Sequence, residues 1–375
     1  MRGAVSGCGV CVLRRGLSLL LCLALGGVFA GDCAFAQSQG GAAWLGLIAG
    51  SATASETVLA ADLASLFPQN ASLHVAPMLG DDGVGNLALL LEDPHVDIAF
   101  VSTDALAEAV AAQRGLQDRV ELVARLAPQE IHVLARTDVA DLAGLSGKQV
   151  NFGPPGSASA VTAAALFKAL GIKVEAMKFE PPSAIEQLKQ GVIAAVVIVG
   201  GKPSPLVAAI SASAGIHLLP VSFGPQLEAA YLPTQLLAED YPNLIQAGGG
   251  IGTVATGMVL LAAKAKSDPG SSERVSRFVN AVFPRFAELQ AQGRHPKWRE
   301  VNLAATLPGY ARTGAAAAFL HEPSGAPGKP PAAKPSAARA SVSQPATLAE
   351  NLALSEEQKE TLFKRFIEWQ RSKLH

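Results

Sequence analysis

Cysteine is missing from most of this sequence, since all four cysteines, at positions 8, 11, 22 and 33, lie within the first 36 residues. A chain cleaved after Ala36 would contain no disulfide, no thiolate metal ligand and no cysteine nucleophile. Aromatic residues are also scarce, at 5% of the chain, whereas small aliphatic residues are abundant. Cores of small aliphatic residues are typical of layered structures of helices and sheets, so the composition favours an α/β fold.

An excess of charge of one sign is absent as well. The chain has 30 basic residues (Lys and Arg) against 31 acidic ones (Asp and Glu), a net charge of −1. Proteins that bind nucleic acid or an anionic membrane surface usually carry a marked basic excess. We therefore expect no nucleic acid and no membrane surface as partner.

Motifs of the common enzyme classes are absent too. The sequence has no His-Glu-x-x-His, its seven histidines are scattered, and it has no Gly-x-Ser-x-Gly. Residues 153–159 are rich in glycine but lack the Lys-Ser/Thr of a phosphate-binding loop. We therefore predict that the protein is not an enzyme and uses neither a cofactor nor a metal. An enzyme built on the same fold is an alternative that predicts turnover of the ligand.

The first 36 residues have the organisation of a secretory leader. A basic start with Arg2 is followed by an apolar run at 17–29, and Ala34 and Ala36 form a small-x-small cleavage site. The apolar run is too short to span a bilayer. We predict cleavage after Ala36 and a periplasmic location, and a cut after Ala30 is the alternative.

Asp32 precedes Cys33, where the signal of a lipoprotein needs a small residue. We therefore expect no lipid anchor on the exported protein.

Short apolar runs then alternate with amphipathic segments, the pattern of parallel βαβ units. A first set has strands at 44–49, 73–76 and 96–102 and helices at 56–66, 84–91 and 105–113. A second set has strands at 149–152, 174–178, 193–199 and 217–221 and helices at 158–170, 183–190 and 204–213. A strand at 254–263 and a helix at 271–290 then complete the first set. Two such sets predict two α/β lobes that face each other across a cleft.

We divide the chain into six segments on this pattern. The hinges between the lobes are expected within 126–139 and 222–233. The segments are a leader (1–36), the first part of lobe one (37–130), lobe two (131–228), the return to lobe one (229–322), a disordered Pro/Ala-rich linker (323–350) and a C-terminal amphipathic helix (351–375). The final helix carries Phe366 and Trp369 on one apolar side, which predicts that it folds back or docks on an unknown protein.

Three polar loops each follow a predicted strand and open a helix, at residues 50–55, 102–103 and 153–159. The carboxyl ends of parallel strands face the ligand crevice, and helix N-termini there offer free N–H groups and a partial positive charge. The pattern favours a cleft that binds a carboxylate or another small anion. The alternative is that these serines and threonines are ordinary helix caps.

Six stretches of the sequence are informative when they are taken together. Residues 145–150 read Leu-Ser-Gly-Lys-Gln-Val, residues 153–159 read Gly-Pro-Pro-Gly-Ser-Ala-Ser, and residues 96–104 read Val-Asp-Ile-Ala-Phe-Val-Ser-Thr-Asp. Together with residues 130–135, 200–203 and 295–301, they resemble the TAXI group of TRAP-transporter solute receptors. The resemblance extends from residue 44 to residue 320. Two features depart from that group: residues 50–57 lack its tyrosines, and Ala158 replaces a glycine.

The resemblance implies a two-lobed periplasmic-binding-protein fold of the type II-like class. It also implies an extracytoplasmic receptor that captures a small, anionic organic solute, a carboxylate or an amino acid, for the membrane subunits of a TRAP transporter. The alternative is a periplasmic sensor or scaffold with a receptor-like body that acts through its C-terminal helix.

The loops and the resemblance together predict ten ligand-binding residues. A carboxylate of the solute is expected at the N–H groups of residues 156–159, and residues 51–55 are expected to cover its other end. The ten residues are Ser51, Thr53, Ser55, Ser102, Thr103, Gly156, Ser157, Ser159, Gly201 and Lys202.

Three further residues are interpreted as structural. We expect Arg125 to form an ion pair, although it could also neutralise an acid across the cleft. His132 and Trp44 lie inside apolar strands, which predicts that both are buried in the core.

Overall fold

The computed structural model of this protein describes residues 43–321. The predicted leader, linker and C-terminal helix therefore lie outside the described residues. None of the helices in this part of the chain is long and apolar enough to cross a membrane. The predicted alternation of strands and helices is confirmed across both sets.

The first part of the chain alternates strands and helices as predicted. Its elements are β1 (Ala43–Ile48), α1 (Ser55–Ser65), β2 (Leu73–Met78), α2 (Val84–Glu92), β3 (Ile98–Ser102), α3 (Thr103–Ala112) and β4 (Val120–Arg125).

The second part continues the alternation and then turns to strands alone. Its elements are β5 (Gln129–Arg136), β6 (Gln149–Asn151), α4 (Ala158–Ala169), β7 (Glu175–Met177), α5 (Pro181–Lys189), β8 (Ala195–Gly200), α6 (Pro205–Ala208), β9 (Ile216–Leu219), β10 (Leu232–Leu237) and β11 (Gly250–Thr256).

The last part returns to the first sheet with one strand and then forms helices. Its elements are β12 (Met258–Ala263), α7 (Ser271–Val282), α8 (Phe286–Leu289) and α9 (Gly314–Phe319).

The first lobe is built on a five-stranded sheet of order β2-β1-β3-β12-β4. The strand β1 pairs in parallel with both β2 and β3, as the predicted crossovers require. The returning strand β12 is antiparallel to β3 and β4. A core that includes Phe100, Phe278 and Trp298 packs against this sheet, which fixes the helices of the last part of the chain to the first lobe.

The second lobe is built on a seven-stranded sheet of order β10-β11-β5-β8-β6-β7, with β9 paired to β5. The strand β6 pairs in parallel with β7 and β8, whereas β5, β10 and β11 are joined by antiparallel pairing. Two clusters of buried aliphatic residues pack against this sheet. The structure is therefore a two-lobed α/β fold, as predicted.

The chain passes between the lobes twice. The first crossing follows β4 and includes Pro128, inside the expected hinge segment 126–139. The second lies at Gly257, between β11 and β12, and so interrupts the predicted strand 254–263. The N–H of Gly257 donates to Thr103 Oγ1 at 3.1 Å, and a Cβ on Gly257 would lie 2.8 Å from Thr103 Cγ2. A side chain on residue 257 would therefore crowd Thr103, which favours glycine at this crossing.

The second crossing is later in the chain than the expected hinge segment 222–233. The strands β10 and β11, which were expected in the part returning to the first lobe, pair with each other and through Ala255 with Glu130 of β5. They therefore belong to the second sheet, because antiparallel pairing holds them on its edge.

The predicted helix 271–290 is shorter than expected. Helix α7 ends at Val282, because Pro284 has no N–H to continue the hydrogen-bond ladder, and a turn of 3₁₀ helix follows.

Of the three residues interpreted as structural, the structure confirms the prediction for one and contradicts it for another. His132 is buried as predicted, and its Nε2 lies 2.7 Å from the hydroxyl of Tyr241. The prediction for Trp44 is wrong, because its side chain is 64% exposed at the start of β1, where it stacks on His74. Arg125 has no ion pair within the described residues, and burial lowers its pKa.

The lobes touch directly where α2 and α4 begin. The N–H of Val84 donates to the carbonyl of Gly156 at 2.8 Å, and the N–H of Ala158 donates to the carbonyl of Asp81 at 3.1 Å. A Cβ on Gly83 would lie 2.0 Å from the Gly156 carbonyl oxygen. The absence of a side chain at Gly83 therefore allows the two lobes to meet.

We expect the substitution Gly83→Ala to open the lobes. The added methyl group meets backbone atoms, which cannot rotate away, and overpacking of this kind costs about 1–3 kcal/mol. That cost corresponds to about a 5–150-fold shift of the open–closed equilibrium. Electron-spin distance measurements between labels on the exposed residues Leu89 and Val192 should show a longer separation.

The matched control is Gly252→Ala, because no atom lies within 4 Å of the Cβ position at Gly252. An unchanged distance distribution in Gly83→Ala would show that the contact does not hold the lobes together.

Candidate ligand-binding cleft

A cavity of about 130 Å³ lies between the lobes. The loops that follow β1 and β2 line one side, and the loops that follow β6, β7 and β8 line the other. Its lining residues are Ser51, Thr53, Ala54, Ser55, Gly80, Asp81, Asp82, Pro154, Ser157, Ser159, Glu180, Pro181, Ile198, Val199, Gly200, Ser204 and Leu206. All five strands point their carboxyl ends at the cavity, as expected for a ligand crevice.

The loop after β2 is fixed by Asn86, which is fully buried in α2. Its side-chain amide donates to the carbonyl of Ala49, just after β1, at 2.7 Å and to that of Phe100, within β3, at 2.9 Å. Its Oδ1 accepts from the N–H of Asp81 at 2.9 Å. A Cβ on Gly80 would lie 2.0 Å from that Oδ1, so the turn requires glycine. One buried amide thus positions the acidic turn at the cavity.

Five of the ten predicted ligand-binding residues line the cavity. They are Ser51, Thr53, Ser55, Ser157 and Ser159. The hydroxyl of Ser157 accepts from the N–H of Ala160 as the N-cap of α4, and that of Ser159 accepts from the N–H of Val199 at 3.0 Å. Both hydroxyls therefore also serve the fold, and contact with a ligand stays a prediction for all five residues.

The other five predicted residues do not line the cavity, and their polar groups are bound elsewhere. Ser102 caps α3, and Thr103 bonds to Gly257. The carbonyl of Gly156 accepts from Val84, and the N–H of Gly201 donates to Ser55 Oγ at 2.7 Å. The ammonium group of Lys202 donates to the carbonyl of Gln235 and lies 3.8 Å from Asp240.

The N–H groups at the start of α4 are largely occupied as well. Ser157 donates to the carbonyl of Pro154 and Ala158 to that of Asp81, and Ala160 donates to the cap hydroxyl. The expected docking of a carboxylate at residues 156–159 therefore has few free donors, since these groups join the lobes and close the turn.

Carboxylates are the feature of the cleft that the sequence reasoning missed. Asp81, Asp82 and Glu180 line the cavity, and Glu56 lies directly behind Ser55. The Gly-Asp-Asp-Gly turn at 80–83 follows a predicted strand and precedes a predicted helix. This turn therefore has the same position as the three polar loops, between a strand and a helix. It differs from them in that its polar residues are acidic.

Glu56 is joined to the second lobe through one hydroxyl. The N–H of Gly201 donates to Ser55 Oγ, which donates to Glu56 Oε1 at 3.0 Å. The other oxygen, Glu56 Oε2, has no hydrogen-bond partner within the described residues, although the side chain is 0% exposed.

Burial and like charge act together on these acids. Burial raises the pKa of Asp82 well above its usual value, and the charges of Glu56 and Asp81 raise it further. Burial also raises the pKa of Glu56, to which Glu130 adds. Asp82 is 7% exposed and takes a positive φ of 50°, a conformation that aspartate tolerates better than most residues.

A neighbouring acid has a cationic partner, in contrast, although burial raises its pKa as well. Glu130 at the start of β5 is 2.6 Å from the ammonium nitrogen of Lys297, and the two side chains are 2% and 0% exposed. The ammonium also binds Glu300 at 2.8 Å. Burial alone would lower the pKa of Lys297, but the two carboxylates raise it above its usual value. Lys297 therefore stays charged and is committed to this pair.

No group of three or more His, Cys, Asp or Glu residues is placed to hold a metal ion within residues 43–321.

The fold and the cleft define a protein with the architecture of substrate-binding proteins. The sequence matches the model of the NMT1-like family over residues 53–311, and the chain therefore belongs to that family.

Solved structures with similar topology include a TctC solute-binding protein from Polaromonas, at 18% identity over 74% of this chain and 93% of that one, with a TM-score of 0.39. The alkanesulfonate-binding protein SsuA from Xanthomonas axonopodis pv. citri, bound to MOPS, matches at 17% identity over 71% and 86%, with a TM-score of 0.40. MatC from Rhodopseudomonas palustris with bound malate matches at 18% over 65% and 88%, with a TM-score of 0.40.

We expect Glu56→Gln to stabilise the protein at neutral pH. A carboxyl group whose pKa is higher in the folded than in the unfolded state binds more protons when folded, so stability falls as the pH rises. The effect spans the range above the ordinary carboxyl pKa of about 4. The variant removes this loss, so its Tm should exceed that of the unsubstituted protein at pH 8, and the difference should shrink as the pH falls towards the ordinary carboxyl pKa.

The matched control is Glu130→Gln, which should lower Tm at neutral pH. Breaking a buried ion pair from one side costs up to about 3–5 kcal/mol, and here Lys297 would keep only Glu300. Thermal unfolding of both variants from pH 5 to pH 8 provides the test. If Tm changes equally with pH in Glu56→Gln and in the unsubstituted protein, Glu56 does not have a raised pKa in the folded state, and the prediction is contradicted.

Proposed function

We propose that this chain is an extracytoplasmic solute-binding protein that captures a small organic solute in the cleft between its lobes. The observation that carries the proposal is the cavity of about 130 Å³, which is lined by loops from both sheets. A solute held there contacts both lobes at once and binds only weakly to either lobe alone. It therefore favours the closed arrangement through its differential affinity for that state.

The charge of the lining narrows the class of solute. A simple anion would meet Asp81, Asp82 and Glu180 with no lysine or arginine among the residues that line the cavity. The expectation of an anionic solute is thus not supported by these charges. An amino acid, the other member of the predicted class, carries an ammonium group that suits acidic walls.

Capture and not catalysis is the role we propose for the cleft. Its lining consists of serines, a threonine, glycines, carboxylates and aliphatic side chains, and it contains no histidine or lysine. A nucleophile paired with a base would be the usual sign of acyl or group transfer.

The solute's destination follows from the resemblance to the TAXI group. We propose that the closed protein delivers its solute to the membrane subunits of a TRAP-type transporter, and that the predicted leader exports the chain. The alternative role as a sensor or scaffold depends on residues 351–375, which lie outside the described residues, and stays a prediction.

The first test is native mass spectrometry of the protein exported with its own leader and purified without denaturation. We expect a small organic molecule to be retained and to be displaced by related solutes. The substitution Leu206→Trp fills the cavity from its half-buried wall and should reduce retention at least tenfold, about 1.4 kcal/mol.

The control is the same exchange at the exposed Leu89, which is remote from the cavity lining and should leave retention unchanged. Equal retention in Leu206→Trp and Leu89→Trp would place the solute outside the cleft and contradict the proposal.

A further inference from the structure

Two buried carboxylates, Asp82 in the cavity lining and Glu56 behind Ser55, form no ion pair within residues 43–321. Glu56 is 0% exposed and its Oε2 has no hydrogen-bond partner within residues 43–321. Asp82 is 7% exposed and lines the cavity, and the charged groups that act on its carboxylate are both acidic. Buried ionised carboxylates are costly unless they are paired, so this arrangement lacks a positive partner.

The basic residues nearby are committed to other acceptors. Lys297 is held by Glu130 at 2.6 Å and by Glu300 at 2.8 Å. Lys202 is held by the carbonyl of Gln235 and lies near Asp240. The charged groups that act on Asp82 are Glu56 and Asp81, both acidic. The missing positive charge is therefore not supplied from within this region.

Two glycines lie beside the carboxylate of Glu56. A Cβ on Gly200, which lines the cavity, would lie 3.3 Å from Ser55 Oγ and 3.9 Å from Glu56 Oε2. A Cβ on Gly50 would lie 3.3 Å from the same Oε2. Both carboxylate oxygens of Glu56 thus lie within 4.0 Å of the position that a side chain on Gly200, a residue of the cavity lining, would occupy.

We propose that the solute captured in this cleft carries a protonated amine, which binds between the carboxylates of Glu56 and Asp82. The inference rests on the proposed function as a solute-binding protein and names the chemical class of its solute. An ammonium group has three N–H donors and no acceptor. Glu56 Oε2, the Asp82 carboxylate and the serine hydroxyls of the 51–55 loop provide acceptors for all three. Charge-assisted bonds of this kind are roughly twice as strong as neutral ones.

The volume limits the size of the amine. A cavity of about 150 Å³ holds a benzene molecule, which has six non-hydrogen atoms. The cavity of about 130 Å³ therefore suits a solute of about six non-hydrogen atoms. A short amino acid or a short diamine meets both the size and the charge.

The test uses four probes of equal size, each with six non-hydrogen atoms. They are β-alanine (amine and carboxylate), 1,4-diaminobutane (amines only), butyrate (carboxylate only) and 1,4-butanediol (neither). Isothermal titration calorimetry at pH 7.5, on protein freed of any retained solute, should show binding of at least one amine-containing probe. Its affinity should exceed that of butyrate and of butanediol at least tenfold.

Two variants locate the amine. Glu56→Gln and Asp82→Asn each remove one charge with little change of shape, and asparagine tolerates the positive φ of residue 82. Each should weaken binding of the amine probe at least tenfold. The control is Glu92→Gln, which removes an exposed carboxylate of α2 that does not line the cavity and should leave the affinity unchanged.

Three results would overturn the inference. They are binding of butyrate or butanediol as tight as that of the amines, no binding of either amine, and amine binding that both variants leave unchanged. The proposed function fails separately, because it requires only that some solute is retained and that Leu206→Trp reduces its retention at least tenfold. Retention of a solute without an amine would preserve the receptor and reject its amine specificity.

Discussion

The ion pair between Glu130 and Lys297 fixes the arrangement on which the rest of the cleft depends. Glu130 begins β5 immediately after the first crossing, and Lys297 precedes Trp298, which packs in the core of the first lobe. The pair is almost completely buried and 2.6 Å long, so it ties the second sheet to the first lobe beside the crossing. Such a pair rarely adds much net stability, but removing either partner is costly. Its geometry therefore sets where the lobes meet.

The same pair contrasts with the other buried acids at the cleft. Lys297 is the one lysine that the described structure buries completely, and its charge is used by Glu130 and Glu300. Glu56 and Asp82 remain without a basic partner, and like charge raises the pKa of Asp82 further. A fold optimised for stability alone would replace these acids with neutral residues. Their presence beside a cavity is the sort of local conflict that natural proteins tolerate at functional sites.

Much of this fold could be predicted because the strands carry a clear alternation with helices. The runs at 44–49, 96–102 and 193–199 are apolar enough to be read as buried strands, and each lies within one residue or two of its position in the structure. The second crossing could not be predicted, since residues 254–263 form one continuous apolar run. The strand pairing in the structure shows that the run is divided between two sheets at Gly257.

The position of the cavity could be predicted, but the chemistry of its lining could not. The rule of strand ends located the loops at 51–55 and 157–159, yet it did not show which of their donors the fold already uses. The N–H groups of Ala158 and Gly201 already donate hydrogen bonds between the lobes. When the lobes close, the N–H donors that an anion would need are therefore already bonded, and the carboxylate acceptors that a cation needs are buried. If the lobes open, water can reach Glu56 and Asp82, and closing again removes it from both. A ligand shifts the equilibrium between the open and closed forms only if it binds the closed form more tightly. Without a ligand, burying Glu56 and Asp82 makes closure costly. A cation removes that cost by pairing with the two acids, and it therefore binds the closed form more tightly.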